Sequence, residues 1–157
     1  MPDPPLVHLL INGERRPAST GATFSVHSSY TGSLASTAAA ASSEDCREAI
    51  EAAQRAFPAW EATGYATRRD ILLRAAATLR SDEWQKRAAL AMRAELAMPQ
   101  AVIMFNFVAG SELLASVAAV VNELKGETFP SWVPGGQVFI QRRAQGVMYV
   151  SLPLSLW

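Results

Sequence analysis

Apolar and polar positions alternate over the first forty residues and then change period. In "LVHLLINGER", Leu6–Arg15, the pair Asn12-Gly13 separates short apolar and polar runs. Both residues tolerate the positive φ that a two-residue hairpin turn demands. "FSVHSSYTGSLAST" repeats the pattern, with Thr31-Gly32 as the turn between predicted strands Phe24–His27 and Leu34–Thr37. Residues 1–41 therefore read as two antiparallel hairpins.

From Ser42 the period is helical. Ser42 and Asp45 have the spacing of a capping box with the shorter acid. Cys46, Ala49, Ile50, Ala53 and Phe57 share one face, and Pro58 is predicted to end the helix. Thr67 and Asp70 form a second box ahead of Ile71, Leu72, Ala75 and Leu79. Ser81 or Asp82 caps a third helix running to about Leu96. Pro99 opens a long fourth helix that Gly126 closes after Lys125, so 42–126 is a helical unit. Pro130, Pro134, Gly135 and Gly136 mark a loop. Val138 and Ile140 then alternate with Gln137, Phe139 and Gln141 until Arg142 and Arg143. Gly146 opens an apolar run, Val147–Val150, that reads as a buried strand, so 137–150 is expected to be a strand or hairpin. The fold class is mixed α/β: N-terminal hairpins, four helices and a last strand region.

Composition narrows the function. Half the residues are apolar, which excludes disorder throughout. Fourteen basic residues balance fourteen acidic ones, so no net field favours nucleic acid or an anionic membrane. The single cysteine, Cys46, excludes an internal disulfide and suits a reducing compartment. The start, "MPDPPLVHLLINGERR", is acidic and proline-rich, unlike a signal peptide, and the expected location is cytoplasmic. The window Ala101–Val121 is long and apolar enough to be weighed as a membrane anchor. Asn106 and Glu112 near its middle oppose that, since a central acid costs roughly 2.5–3.5 kcal/mol on insertion. A buried core helix is the expectation and a small membrane protein the competing one.

No catalytic, cofactor-binding or metal-ligating residue is assigned from the residues themselves. Cys46 lies on the apolar face of its helix without a matched base, and core packing is expected of it. His8 and His27 sit on separate predicted strands without a third ligand. Glu44, Asp45, Glu48 and Glu51 lie early in a helix, where they complement its dipole and are expected to face solvent. Gly135-Gly136 precedes no helix and reads as a turn, not a phosphate cradle.

Several spaced segments carry a family likeness. "LLINGE" (Leu9–Glu14) and the turn chemistry of "YTGSLAST" (Tyr30–Thr37) resemble the opening of aldehyde dehydrogenases. "AIEAAQRAFPAWEATGYATRRDILLRAAATL" (Ala49–Leu79) is similar to that family's first helices, with Phe57, Trp60, Arg68, Arg69, Leu72 and Ala75 in matching positions. "GETFPS" (Gly126–Ser131) and "RRAQGV" (Arg142–Val147) continue the match in order, and the likeness spans nearly the whole chain. "MFNF" and "GETFPS" look most like members acting on aromatic aldehydes such as salicylaldehyde.

The resemblance implies the first segment of the family's cofactor-binding region, with most of the sheet absent and 137–150 covering an oligomerisation arm and the first cofactor-domain strand. It implies NAD or NADP as cofactor and oxidation of an aldehyde to a carboxylic acid. That chemistry takes a thiolate to attack the aldehyde, a carboxylate to activate water and an amide to hold the oxyanion. In family members the thiol and carboxylate lie downstream of this stretch. The amide belongs to a Pro-Trp-Asn motif, where Pro153 matches but Leu154 and Ser155 replace tryptophan and asparagine; Ala144 stands where the family has proline. Ser155 is a conceivable oxyanion donor without a nucleophile to serve. The chain is thus expected to be a truncated or remnant aldehyde dehydrogenase, inactive alone. The alternative is a non-catalytic module forming homo- or hetero-oligomers with full-length relatives through Gln137–Arg143.

Overall fold

A computed structural model describes residues 5–151. The N-terminal stretch holds five short strands: β1 (Leu6–Val7), β2 (Leu9–Ile11), β3 (Glu14–Arg16), β4 (Thr23–His27) and β5 (Leu34–Ala39). β2 and β3 pair antiparallel about Asn12 (φ 53°) and Gly13 (φ 81°), the conformation anticipated for that dipeptide. β4 and β5 form the second hairpin. Its turn is closed by Ser28 N–H donating to Ser33 O (2.8 Å) and Gly32 N–H to Ser28 O (2.9 Å). β1 adds to β5 in parallel, giving the order β1-β5-β4. A two-residue strand carries no period to read, so this pairing was not foreseeable.

Four helices follow. α1 (Ser43–Glu61) starts on the expected capping box: Ser42 accepts from Asp45 N–H, and Asp45 accepts from Ser42 N–H. It does not stop at Pro58, which sits inside its last turn. A proline there forfeits one bond near an end that is already short of partners, and Ala62 N–H still reaches Pro58 O at 3.1 Å. α2 (Tyr65–Arg80) begins ahead of the predicted Thr67–Asp70 box. Gly64 takes the extended N-cap conformation instead, which leaves Thr67 inside the first turn and Asp70 paired with Arg69. α3 (Asp82–Leu96) is capped by Ser81 as expected and ends on Ala97 in the left-handed region at φ 51°. α4 (Gln100–Val120) starts after Pro99 and tightens into a 3-10 turn, Val121–Glu123.

The apolar core joins Met98, Ile103 and Phe107 to half-buried Ala88, Ala89, Met92 and Val102. α4 buries one stripe, Ile103, Phe107, Ser111 and Ala118, that runs on into Val121 of the 3-10 turn. Ala76 of α2 is buried, and Ile71, Leu72, Ala75 and Leu79 are half-buried beside it as their spacing predicted. Away from its stripe α4 is apolar but open: Phe105 and Leu113 are each 66% exposed. The expected core helix is therefore a core helix along a single face. The same holds for α1, where Asp45 and Ala52 are buried while Ile50 is exposed. Cys46 is exposed, which corrects its expected core packing. Periodicity identified the apolar side of α1, but the N-terminal strands dock on the flank that carries Asp45.

The accessible area measures this incompleteness. It is 12061 Å² for a 16.9 kDa chain, where a self-contained domain of that mass exposes roughly 7,700 Å².

Past α4, β6 (Glu127–Pro130) and β7 (Gln137–Ile140) pair antiparallel. β6 escaped the sequence reading because proline and threonine obscure its alternation. Gly126 does not terminate the helix by a left-handed twist. It allows a close approach: a Cβ built there lies 2.2 Å from Ile140 O. Gly146–Val150 forms no strand and is exposed, so the predicted buried strand has no partner strand among the described residues.

Two measurements follow from this packing. Chain 1–157 is expected to show helical far-ultraviolet circular dichroism, strong binding of an apolar dye and a broad melt; a sharp melt without dye binding contradicts the open faces. Gly126→Ala is expected to loosen the base of the β6–β7 hairpin, read as faster amide exchange at Ile140 and Glu127 than in the parent chain.

Candidate functional site

Arg16, at the end of β3, reaches across to α1 and donates to Glu48 from both terminal guanidinium nitrogens, Nη1 to Oε1 at 2.8 Å and Nη2 to Oε2 at 2.5 Å. Asp45, 1% exposed, is the hub beside it. Its Oδ2 accepts from Ser42 N–H (2.8 Å) and lies within hydrogen-bond reach of Ser42 Oγ (2.8 Å) and Ser19 Oγ (3.1 Å); its Oδ1 accepts from Ser19 N–H at 3.1 Å. The Ser42 backbone bond, aided by the Ser42 hydroxyl and both Ser19 donors, lowers the Asp45 pKa to about 2 against the opposing effect of desolvation. The Arg16 bond likewise holds Glu48 below the usual range, and Glu48 raises Arg16. Asp45 was expected to face solvent. Instead it fastens the N-terminal segment to α1, and only its capping spacing was visible beforehand. A carboxylate supplied with this many donors is a structural acceptor and a poor base.

The remaining sequence candidates stay apart. Cys46 Sγ makes no hydrogen bond among the described residues, while its N–H donates within α1 to Ser42 O. His8 lies between β1 and β2 and His27 ends β4; no cluster of three or more His, Cys, Asp or Glu suited to a metal occurs among the described residues. Gly135 (φ 75°) and Gly136 close the β6–β7 turn, with Gly136 N–H on Val133 O at 2.9 Å, and open no helix. Pro153, Leu154 and Ser155 lie outside the described residues, and Ala144 is exposed.

The β6–β7 hairpin presents an exposed aromatic and aliphatic surface. Trp132 is 94% exposed, and Phe129, Val133, Phe139 and Ile140 also face outward. The ribbon has only two strands, so each keeps one unpaired backbone edge. Its base is held firmly: Tyr65 Oη donates to Leu124 O (3.0 Å), and Arg142 Nε to Lys125 O (3.2 Å). Gln137–Arg143, expected as one edge strand, is a strand over Gln137–Ile140. The arrangement suits β-strand addition with side chains ready to be covered.

Among known proteins, the profile of the aldehyde dehydrogenase family matches residues 16–154. The chain belongs to the aldehyde dehydrogenase family. It is 38% identical over 144 residues to a vanillin dehydrogenase of Pseudomonas fluorescens, covering 90% of this chain and 29% of that protein. A salicylaldehyde dehydrogenase from Pseudomonas putida, solved with salicylaldehyde, superposes with a TM-score of 0.79 at 23% identity, over 85% of this chain and 27% of that one. An NAD-dependent benzaldehyde dehydrogenase from Corynebacterium glutamicum gives 0.73 at 25% identity, over 80% and 27%. The mixed α/β fold with four helices is thus a partial aldehyde dehydrogenase fold, and the chain spans under a third of the length of these relatives.

A dinucleotide of the kind those dehydrogenases use does not fit the described residues alone. The glycine pair lies in a hairpin turn, and β1–β5, the parallel pair, has no helix crossing between its strands in the way a Rossmann unit requires. The first turns of α1 and α3 carry Glu44 with Asp45 and Asp82 with Glu83, which repel phosphate.

Because the folded Asp45 pKa is depressed, its contribution to stability is present above about pH 4 and is lost as pH falls through about 2. Acid titration followed by circular dichroism is expected to show this loss in the parent chain and not in Asp45→Asn, which should be less stable throughout the neutral range. Ser42→Ala removes the N-cap and is expected to cost roughly 1 kcal/mol in urea melts.

Proposed function

We propose that this chain serves as the N-terminal portion of an NAD(P)-dependent aldehyde dehydrogenase for aromatic aldehydes, and that residues 1–157 do not oxidise aldehydes by themselves. The observation that carries the reading is the pairing of family membership with open apolar faces on α1 and α4. Those faces fit a scaffold that docks against the rest of an aldehyde dehydrogenase fold, supplied in the same polypeptide or by another. The vanillin and salicylaldehyde dehydrogenase likenesses support an aromatic substrate, and a cytoplasmic setting agrees with the unpaired Cys46. Cys46 does not act as the nucleophile: it is exposed and has no side-chain partner among the described residues to take its proton. The dinucleotide and the reacting aldehyde belong to the completed fold, so no step is assigned to the residues described here.

A second reading rests on the hairpin. Trp132, Phe139 and the free edges of β6 and β7 favour joining a second subunit, either another copy or a full-length relative.

Purified chain 1–157, given vanillin, salicylaldehyde or benzaldehyde with NAD or NADP, is expected to form no reduced cofactor above background. Turnover that Cys46→Ala abolishes would overturn both the inactivity and the reading of the thiol. For the hairpin, Trp132→Ser is expected to weaken association in sedimentation velocity, both of the chain with itself and of the chain with a full-length relative; association unchanged in both removes the second reading.

A further inference from the structure

Between α3 and α4 lies an open cleft of about 440 Å³ that none of the preceding argument uses. Its floor is apolar, formed by Ala89 and Leu90 of α3 and by Met104 and Phe107 of α4. Its charged lining is of one sign: Lys86 and Arg93, with the amides of Gln85 and Gln100 beside them.

Half of the other twelve cations in the chain are neutralised locally. Arg16, Arg47, Arg55, Arg69, Arg80 and Lys125 each pair with a carboxylate. Arg68 and Arg142 bind backbone carbonyls. Neither Lys86 nor Arg93 has an acidic partner among the described residues. Their spacing of seven residues places them on one side of α3, roughly 10 Å apart along its axis.

Arg93 Nη2 donates to Gln100 Oε1. This bond ties the N-terminus of α4 to the last turn of α3. It also turns the Gln100 amide so that its oxygen is occupied and its NH₂ group is free to donate, next to a guanidinium with N–H groups to spare. A planar oxyanion matches that combination of donors. An apolar body attached to it would lie over Leu90 and Met104. Leu90, 68% exposed, would otherwise remain in water.

We propose that this cleft binds a small amphipathic carboxylate, with its acid group at the Arg93–Gln100 end and its apolar body against Leu90, Met104 and Phe107. Lys86 sits at the far end, where it favours a ligand carrying a second polar substituent. The proposal does not depend on the aldehyde reaction, because its residues are separate from Cys46, from the hairpin and from the Asp45 cluster.

The test uses chain 1–157 and three probes, benzoate, benzyl alcohol and acetate, followed by saturation-transfer NMR titration. Benzoate is expected to bind saturably and roughly tenfold or more tightly than either control, the difference that one charge-assisted bond supplies. Arg93→Gln is expected to bring benzoate down to the level of benzyl alcohol while leaving benzyl alcohol unchanged. Leu90→Asp, an exposed position that leaves the core intact, is expected to weaken both benzoate and benzyl alcohol by removing the apolar contact, and benzoate the more because it sets a negative charge in the cleft. Circular dichroism of each variant checks that the helices remain. Equal affinity for benzoate and benzyl alcohol would mean loose adsorption to open apolar surface and would overturn the proposal. So would benzoate binding that neither variant changes, or binding that disappears as protein concentration rises because a second copy fills the cleft.

Discussion

The seam between α2 and α4 is the contact on which the rest of the chain hangs. Small residues make it possible: Ala75 and Ala76 on one helix and Gly110, Ser111 and Ala118 on the other let the two axes come close. A Cβ built on Gly110 would meet Leu79 Cδ1 at 3.6 Å, an ordinary packing distance, so an alanine would fit the seam there as well. A polar clasp guards the same line, with Arg80 Nε donating to Ser111 Oγ at 3.1 Å and its Nη2 to Glu112 at 2.7 Å. Because Ser111 is buried, that clasp fixes the rotation of α4 about its own axis. The rotation then decides which of its apolar residues enter the core and which remain outside.

Seen from that seam, the long apolar helix, which is long and apolar enough to cross a membrane, is held to protein along one face. Asn106 is satisfied on its own helix by Val102 O and also reaches Met98 Sδ, and Glu112 is satisfied by Arg80. The two residues that speak against a lipid environment are thus employed in holding protein together. The apolar side they leave open is wide, as it is on α1. In an aldehyde dehydrogenase relative more than three times as long, further chain is available to pack against such faces. The fold as described is a set of correctly formed elements with one side of their packing supplied.

Legibility in the sequence divided along a physical line. Whatever depended on neighbours a few residues apart was readable: Asn12-Gly13, the Ser42–Asp45 box, the Ser81 cap and the start of α4 at Pro99. Whatever depended on distant approach was not. The Arg16–Glu48 pair spans thirty-two residues, and no spacing announces it. The burial of Asp45 and exposure of Cys46, adjacent positions with opposite expectations, were set by strands docking on one flank of α1. Pro58 and the Thr67–Asp70 box misled because local signals are conditional: proline is tolerated in a final turn, and a box needs an extended residue at its head, a role Gly64 had taken. For the function, the spaced family segments were legible early. The α3–α4 cleft was not, because it exists only once two helices are placed side by side.

Gly126 has a consequence that reaches beyond its own position. The carbonyl of Ile140 occupies the space a side chain would need, and Tyr65 and Arg142 grip the two carbonyls just ahead of the joint, at Leu124 and Lys125. The hairpin is therefore not a pendant on a loose hinge. It behaves as a lever with a clamped fulcrum, so its tip at Trp132 takes its bearing from α2. A push on that tip would be felt as torque on the helical seam, and the lever keeps this stiffness only while hydrogen is all that residue 126 carries.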